Sequence, residues 1–338
     1  MMTAWVGEMA YLFVIGGLAL LALGGESLVG SAVNLSLRLN LSKLLVGLFV
    51  IAMGTSAPEL AVGVFAALEG QPDIAVGNVV GSNIANLLLI LAIAAFIFPV
   101  SCCRDVKSRD LVVLMAVTGL YVWTAGGTYL VGKTQGVFFV GCLAAYVVYA
   151  FIEERMRLAP VGTLKQNLET QESMMPRPGL IGWGADLLWL AVAIVALYAG
   201  ARLLIDGVFG LARVLGVSEA IVSLTVVAVG TSLPELATAI VASVRRHPEF
   251  VVSGLVGSNI FNILGVLGIT AIVEPVRIAG HFVEFDHWVM LGAAVLIAPV
   301  ALSENRISRA ESVLMLLAYG LYIAYLYGGL DRFPSISS

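Results

Sequence analysis

Two glutamates, Glu59 and Glu235, lie within long apolar runs, in the segments IAMGTSAPEL (51–60) and VAVGTSLPEL (227–236). Thr55 stands four residues before Glu59, so the two share a helical face with Ser56 beside them; Thr231, Ser232 and Glu235 repeat the pattern. In the next apolar run Ser82 and Asn86, again four apart, are matched by Ser258 and Asn262. Proline removes a backbone N–H and clashes with the preceding turn, so Pro58 and Pro234 are expected to break their helices near Gly54 and Gly230. That break would free carbonyl oxygens around Ala52 and Ala228. Every group in this set presents oxygen, which suits a hard cation such as Ca²⁺ or Na⁺, and no Cys or His is offered for a softer metal.

The elements that must hold these residues are membrane helices. Hydrophobic residues make up 60% of the 338, charged residues only 12%, against about 25% charged in soluble domains. Apolar runs of about 20 residues, each able to cross about 30 Å of hydrocarbon, fill nearly the whole chain and leave no sizeable soluble domain. Hydropathy breaks predict ten spans, at 8–33, 42–69, 73–98, 110–127, 133–152, 181–213, 218–244, 249–273, 286–302 and 309–328. The first is read as a retained span, since it is too long for a signal peptide and has no basic leader. Residues 153–180 are polar and read as a cytoplasmic linker between a first repeat (1–152) and a second (181–330). Cys102, Cys103 and Cys142 form no disulfide or metal pattern, and nothing suggests nucleic acid, a cofactor or an obligate protein partner.

The halves are copies. An offset of 176 residues aligns Ser42 with Ser218, Gly54 with Gly230, Pro72 with Pro248, Gly81-Ser82-Asn83-Ile84 with Gly257-Ser258-Asn259-Ile260, and Pro99-Val100 with Pro275-Val276, without a gap. Five spans separate equivalent points, an odd number, so the second copy must enter the membrane in the opposite sense. The expected fold is therefore all-α, ten spans in two inverted-topology repeats with broken helices at the ion site. With the N-terminus outside, thirteen of the eighteen Lys and Arg fall on cytoplasmic loops or span ends, and both termini are extracytoplasmic, in the cell membrane.

Charge supplies a mechanism. Carboxylates in mid-bilayer cost roughly 2.5–3.5 kcal/mol each on insertion scales, so their repetition points to function. Glu59 and Glu235 together carry two negative charges, neutralised equally by one Ca²⁺, two Na⁺ or two protons. An empty site is then ill suited to a dry occluded state, and an occupied one is free to move between faces. A small-residue packing surface would explain one Gly-Thr-Ser run, but not two with matched Ser and Asn on the following helix. Glu26 corresponds to Arg202 and so makes no repeated site; Arg202 and Asp206 read as a local pair, Asp186 and Asp105 as interfacial, and Gly16-Gly17, Gly24-Gly25 and Gly200 as close helix contacts. An enzyme built on Ser56 or Ser232 lacks a His or Lys partner at the same depth, and two carboxylates in a dry constriction suit a carrier more than a channel.

GTSAPEL with GNVVGSNIAN, and GTSLPEL with SGLVGSNIFN, resemble the two alpha repeats of the cation/calcium exchanger superfamily, most closely its prokaryotic sodium/calcium exchangers. The resemblance covers the whole chain, with the alpha motifs at 42–98 and 218–276. It implies that Thr55, Ser56, Glu59, Ser82, Asn86, Thr231, Ser232, Glu235, Ser258 and Asn262, with the carbonyls of Ala52 and Ala228, line one calcium and several sodium sites. It also implies a first and sixth span sliding over a rigid core. Two departures stand out: Gly77-Asn78 becomes Ser253-Gly254, and Asn262 stands where potassium-dependent relatives have Asp. The expected function is electrogenic Na⁺/Ca²⁺ antiport by alternating access, with H⁺/Ca²⁺ antiport as the alternative.

Overall fold

The computed structural model describes residues 2–100, 108–158, 179–215, 230–303 and 306–329, and the chain there is almost wholly helical. In chain order the helices are α1 (Met2–Leu39), α2 (Lys43–Thr55), α3 (Ala57–Leu68), α4 (Pro72–Ile97), α5 (Ser108–Thr128), α6 (Lys133–Leu158), α7 (Gly179–Leu215), α8 (Leu233–Val244), α9 (Pro248–Val273), α10 (His287–Ser303) and α11 (Arg309–Gly329). Among the described residues, α1, α4, α5, α6, α7, α9 and α11 are long and apolar enough to cross a membrane, and α2 with α3 forms an eighth, broken span. The predicted span at 218–244 is described only over α8, twelve residues long, and α10 has seventeen.

Two boundaries are corrected. The first helix runs from Met2 to Leu39 rather than 8–33, and at about 1.5 Å per residue its 38 residues exceed the hydrocarbon thickness, so it must tilt or project. The fifth helix likewise extends past its predicted span of 133–152, because α6 continues to Leu158, and α7 starts at Gly179. The amphipathic stretch Glu153 to Leu158 extends a helix whose earlier turns are already formed, and Glu153 pairs with Arg109 at the start of α5.

α4 and α9 form the buried centre, with exposed apolar side chains confined to their ends, such as Ile74, Phe96 and Val273. α1 and α7 pack along each other at the periphery. A Cβ at Gly17 would lie 2.6 Å from the backbone nitrogen of Leu204, and one at Gly200 would lie 2.8 Å from that of Leu21. Only glycine permits this approach, so Gly17→Leu is expected to part the two helices and lower thermal stability in detergent. Gly16→Leu, with nothing within 4 Å among the described residues, is the control, and melting curves of the two variants check the contrast. Arg38 and Asn34 of α1 both reach Asp186 of α7, with the Arg38 guanidinium over the Trp183 ring. Asp186 is thus an internal link between these helices and not merely interfacial.

The offset of 176 also relates contacts. Val131 pairs with Val276 in the two-stranded ribbon of β1 (Leu130–Val131) and β2 (Val276–Arg277), and Val100 bridges Ile307 at the corresponding positions. Tyr146 donates to Asp110 at 2.9 Å and Tyr322 to Asp286 at 2.9 Å, each pair joining successive helices of one half. The turn before α4 uses Gly70 at φ 73°, and its counterpart is Arg246 at φ 58°, an unusual left-handed arginine beneath which lies the Phe98 ring.

Candidate ion-binding site

The helix breaks fall at Ser56 and Ser232, two residues later than predicted, where φ, ψ of −84°, 9° and −88°, 8° lie in the bridge region. α2 and α3 meet at a 44° bend. Pro58 and Pro234 sit in the first turns of α3 and α8, where their missing N–H groups are no loss, and Glu59 and Glu235 follow in the same turns. Each carboxylate therefore caps the positive end of a helix dipole. Glu59 is 0% and Glu235 3% exposed.

Both halves contribute to one cluster. Ser56 Oγ donates to Glu235 Oε1 at 3.1 Å, across the two breaks. Thr55 Oγ1 donates back to the Ile51 carbonyl at 3.1 Å and lies 3.5 Å from Ser258 Oγ, which leaves its lone pairs facing across the halves. Ser82 Oγ bonds the Val79 carbonyl at 3.2 Å and accepts from Asn262 Nδ2 at 3.1 Å. Ser232 is fully buried and Thr231 half-buried at the second break. Ala228 lies outside the described residues. The carbonyl of Ala52 is not stripped by the break, because it still accepts from the Ser56 N–H at 3.0 Å and lies 3.3 Å from Thr55 Oγ1. Pro58 instead denies a donor to the Gly54 carbonyl, four residues back.

The buried atoms without a hydrogen-bond partner among the described residues are the informative ones. They include both oxygens of Glu59, Oε2 of Glu235, Oδ1 of Asn86 and of Asn262, and Oγ of Ser232. An unsatisfied buried acceptor costs about 1–3 kcal/mol, more if charged, so five carboxylate and amide oxygens left without a partner, with the Ser232 hydroxyl, mark a stretch of the core poor in donors. All are oxygen, as a hard cation requires. Among the described residues no group of three or more His, Cys, Asp or Glu gathers to hold a metal, so this site differs from a carboxylate-rich one in having two glutamates among neutral oxygens.

Local backbone geometry adds to this. Asn86 and Asn262 each open a π-helical turn (Asn86–Ile90, Asn262–Leu267), and another, Gly47–Ile51, precedes the first break. Such widened turns cluster at functional sites, and nothing in the residue pattern signals them. Asn78, noted in the sequence only as part of a departure from the repeat, donates to the Glu59 carbonyl at 2.9 Å. Its counterpart Gly254 has no side chain and lines a narrow crevice that also borders Glu235, Thr55 and Ser258. The departure at Gly77-Asn78 therefore alters the surroundings of the two glutamates and not only the symmetry. Beyond the cluster, Glu26 of α1 pairs with Arg245 at the end of α8, while Arg202 and Asp206 form the expected i, i+4 pair at 3.9 Å.

The profile of the family described as "Sodium/calcium exchanger protein" matches residues 9–152 and 186–328, one match in each half. The chain belongs to the sodium/calcium exchanger family. This exchanger is 34% identical over 322 residues to "Putative antiporter CaxA" of Alkalimonas amylolytica, covering 94% of the chain and 98% of that protein. It is 27% identical over 343 residues to "Sodium/calcium exchanger MaX1" of Methanosarcina acetivorans, covering 94% and 98%. The fold is similar to that of the sodium-calcium exchanger NCX_Mj, with a TM-score of 0.78 at 24% identity over 94% of this chain and 98% of that one. It is a multi-pass membrane protein of the cation/calcium exchanger superfamily, prokaryotic type, and a transporter rather than an enzyme.

Proposed function

We propose that this exchanger is a secondary active antiporter that moves Ca²⁺ and Na⁺ in opposite directions across the cell membrane by alternating access. The observation that carries this reading is the set of six buried oxygens, drawn from both halves and including those of Glu59 and Glu235, that have no hydrogen-bond partner among the described residues. Two carboxylates set the charge at −2, which one Ca²⁺ or two Na⁺ neutralise, so either occupant relieves the desolvated site and the empty site does not close readily. Thr55, Ser56, Ser82, Asn86, Thr231, Ser232, Ser258 and Asn262 supply neutral oxygens, and the carbonyls of Ala52 and Ala228 complete the shell, Ala52 through its second lone pair. Asn262 in place of a carboxylate keeps the charge low and argues against potassium co-transport.

The architecture that suits this function is ten spans in two inverted repeats, residues 1–152 and 181–330 with a cytoplasmic connection, both termini outside. Exchange of partners across the offset of 176, as in Val131 with Val276 and Val100 with Ile307, supports the repeat. α1 and α7, joined through Gly17 and Gly200, act as one gating unit against the core of α4 and α9. If three Na⁺ move per Ca²⁺, one net charge crosses per cycle, worth about 2.3 kcal/mol per 100 mV.

The test is ⁴⁵Ca²⁺ uptake into proteoliposomes loaded with Na⁺, K⁺, choline or acid. Uptake is expected only with internal Na⁺, and faster with a potential that favours exit of the net charge carried by Na⁺. Uptake driven equally by internal acid would make the exchanger an H⁺/Ca²⁺ antiporter instead.

A further inference from the structure

The triplet Gly-Ser-Asn occurs once in each half, and its asparagines, Asn83 and Asn259, have no part in the ion shell described above. Both are buried where the halves meet. Asn83 Nδ2 donates to the backbone carbonyl of Asn259 at 3.3 Å, and Asn259 Nδ2 donates to that of Asn83 at 3.1 Å. A backbone carbonyl can only accept, so each contact directs the NH₂ of one amide to the opposite backbone and turns its Oδ1 away. Asn259 Oδ1 then accepts from Asn86 Nδ2 at 2.9 Å. Asn83 Oδ1 lies 3.3 Å from Asn262 Nδ2, which also donates to Ser82. With their NH₂ groups engaged, Asn86 and Asn262 are left with buried Oδ1 atoms that meet no donor among the described residues.

An amide has nearly the same shape when turned by 180°, but its two ends carry opposite partial charge. Turned the wrong way, Asn86 or Asn262 would present hydrogens to a cation. The sequence of bonds from an unambiguous acceptor, the backbone carbonyl, through Asn259 or Asn83 to the outer amide removes that alternative.

We propose that Asn83 and Asn259 are positioning residues of the ion site, each holding the ligand amide of the opposite half with its oxygen toward the ion. The proposal rests on the reading of Asn86 and Asn262 as ligands. It makes the site a single unit, since neither half orients its own asparagine. It also accounts for an amide rather than a carboxylate at 262, because an Asp there would set one acceptor against Asn83 Oδ1.

The experiment is a double-mutant cycle in proteoliposomes, reading the KM for Ca²⁺ and the maximal rate separately, with melting temperature as a control. Asn86→Ala and Asn259→Leu are each expected to raise the Ca²⁺ KM about tenfold, the lower end for loss of a ligand's supporting partner. The double variant is expected to be no worse than Asn86→Ala alone, since an unneeded orienter has nothing left to orient. Asn259→Asp, which keeps an acceptor for Asn86 Nδ2, is expected to retain a KM nearer the parent's than Asn259→Leu does. Multiplying effects, an unchanged KM in Asn259→Leu, or equal damage from Asp and Leu would overturn the proposal. An unchanged KM in Asn86→Ala would overturn the ligand reading itself, and the positioning role with it. Should Asn259→Leu not fold, Asn83→Leu against Asn262→Ala repeats the cycle on the other half.

Discussion

Glu59→Gln and Glu235→Gln are each expected to reduce Ca²⁺ uptake about 100-fold or more, a loss of roughly 3 kcal/mol in binding. The physical reason is the dication. At a given distance a carboxylate attracts Ca²⁺ twice as strongly as Na⁺, so removing one of two charges penalises calcium more than sodium. The same substitution removes a buried carboxylate that has at least one oxygen without a partner among the described residues, so the ion-free protein is expected to melt no lower than the parent. Adding Ca²⁺ separates binding from folding: a ligand at 100 times its Kd stabilises the native state by about 2.7 kcal/mol. The parent is expected to show that upward melting shift and both variants to lack it. Uptake that survives Glu59→Gln would mean that the cluster of orphaned oxygens at the two helix breaks is not the transport site.

Gly257→Ala is expected to cost at least tenfold in transport and to lower the melting temperature, although alanine adds one methyl group and no charge. A Cβ at Gly257 would stand 2.3 Å from the Leu48 carbonyl oxygen and 2.9 Å from Ala52 Cβ. Neither neighbour can rotate aside, because one is backbone and the other is a Cβ, so α9 must retreat from the π-helical turn of α2. Overpacking of this kind costs typically 1–3 kcal/mol. Here the displacement also carries Ser258 away from Thr55, its partner at 3.5 Å. Gly254→Ala, one turn earlier, would place its Cβ 3.5 Å from a rotatable Ile51 methyl and is expected to be tolerated. Equal damage from the two alanines, in uptake and melting, would show that helix propensity rather than close approach governs both.

Much of the site was legible along the chain. The oxygen-bearing residues repeat at a fixed offset, and apolar runs of span length surround them, so membrane class, repetition and ligand chemistry follow from residue types alone. Boundaries were less so: the extension of α1 to Leu39 and of α6 to Leu158 uses polar residues, which hydropathy counts as loop but which a helix already under way accommodates, Arg38 through Asp186 and Arg109 through Glu153. The break was predicted at Gly54 and lies at Ser56, because Pro58 is tolerated within the first turn of the new helix and so starts α3 just ahead of itself. Asn78 was legible only as a departure from the repeat, since its counterpart is Gly254, and repetition assigns no role to a residue that does not repeat.

By itself the sequence determined that a set of oxygen-bearing side chains with one carboxylate occurs twice in apolar segments of span length, since hydropathy and a repeat can be read along the chain. Only the tertiary structure decided which of those oxygens face each other. Ser56 finds Glu235 at the two helix breaks, and Asn86 finds Asn259 between α4 and α9, because residues 170 or more apart in the chain are packed together in the core. Which end of each amide is left for an ion depends on donors and acceptors contributed by the other half, and no spacing within one half encodes that choice.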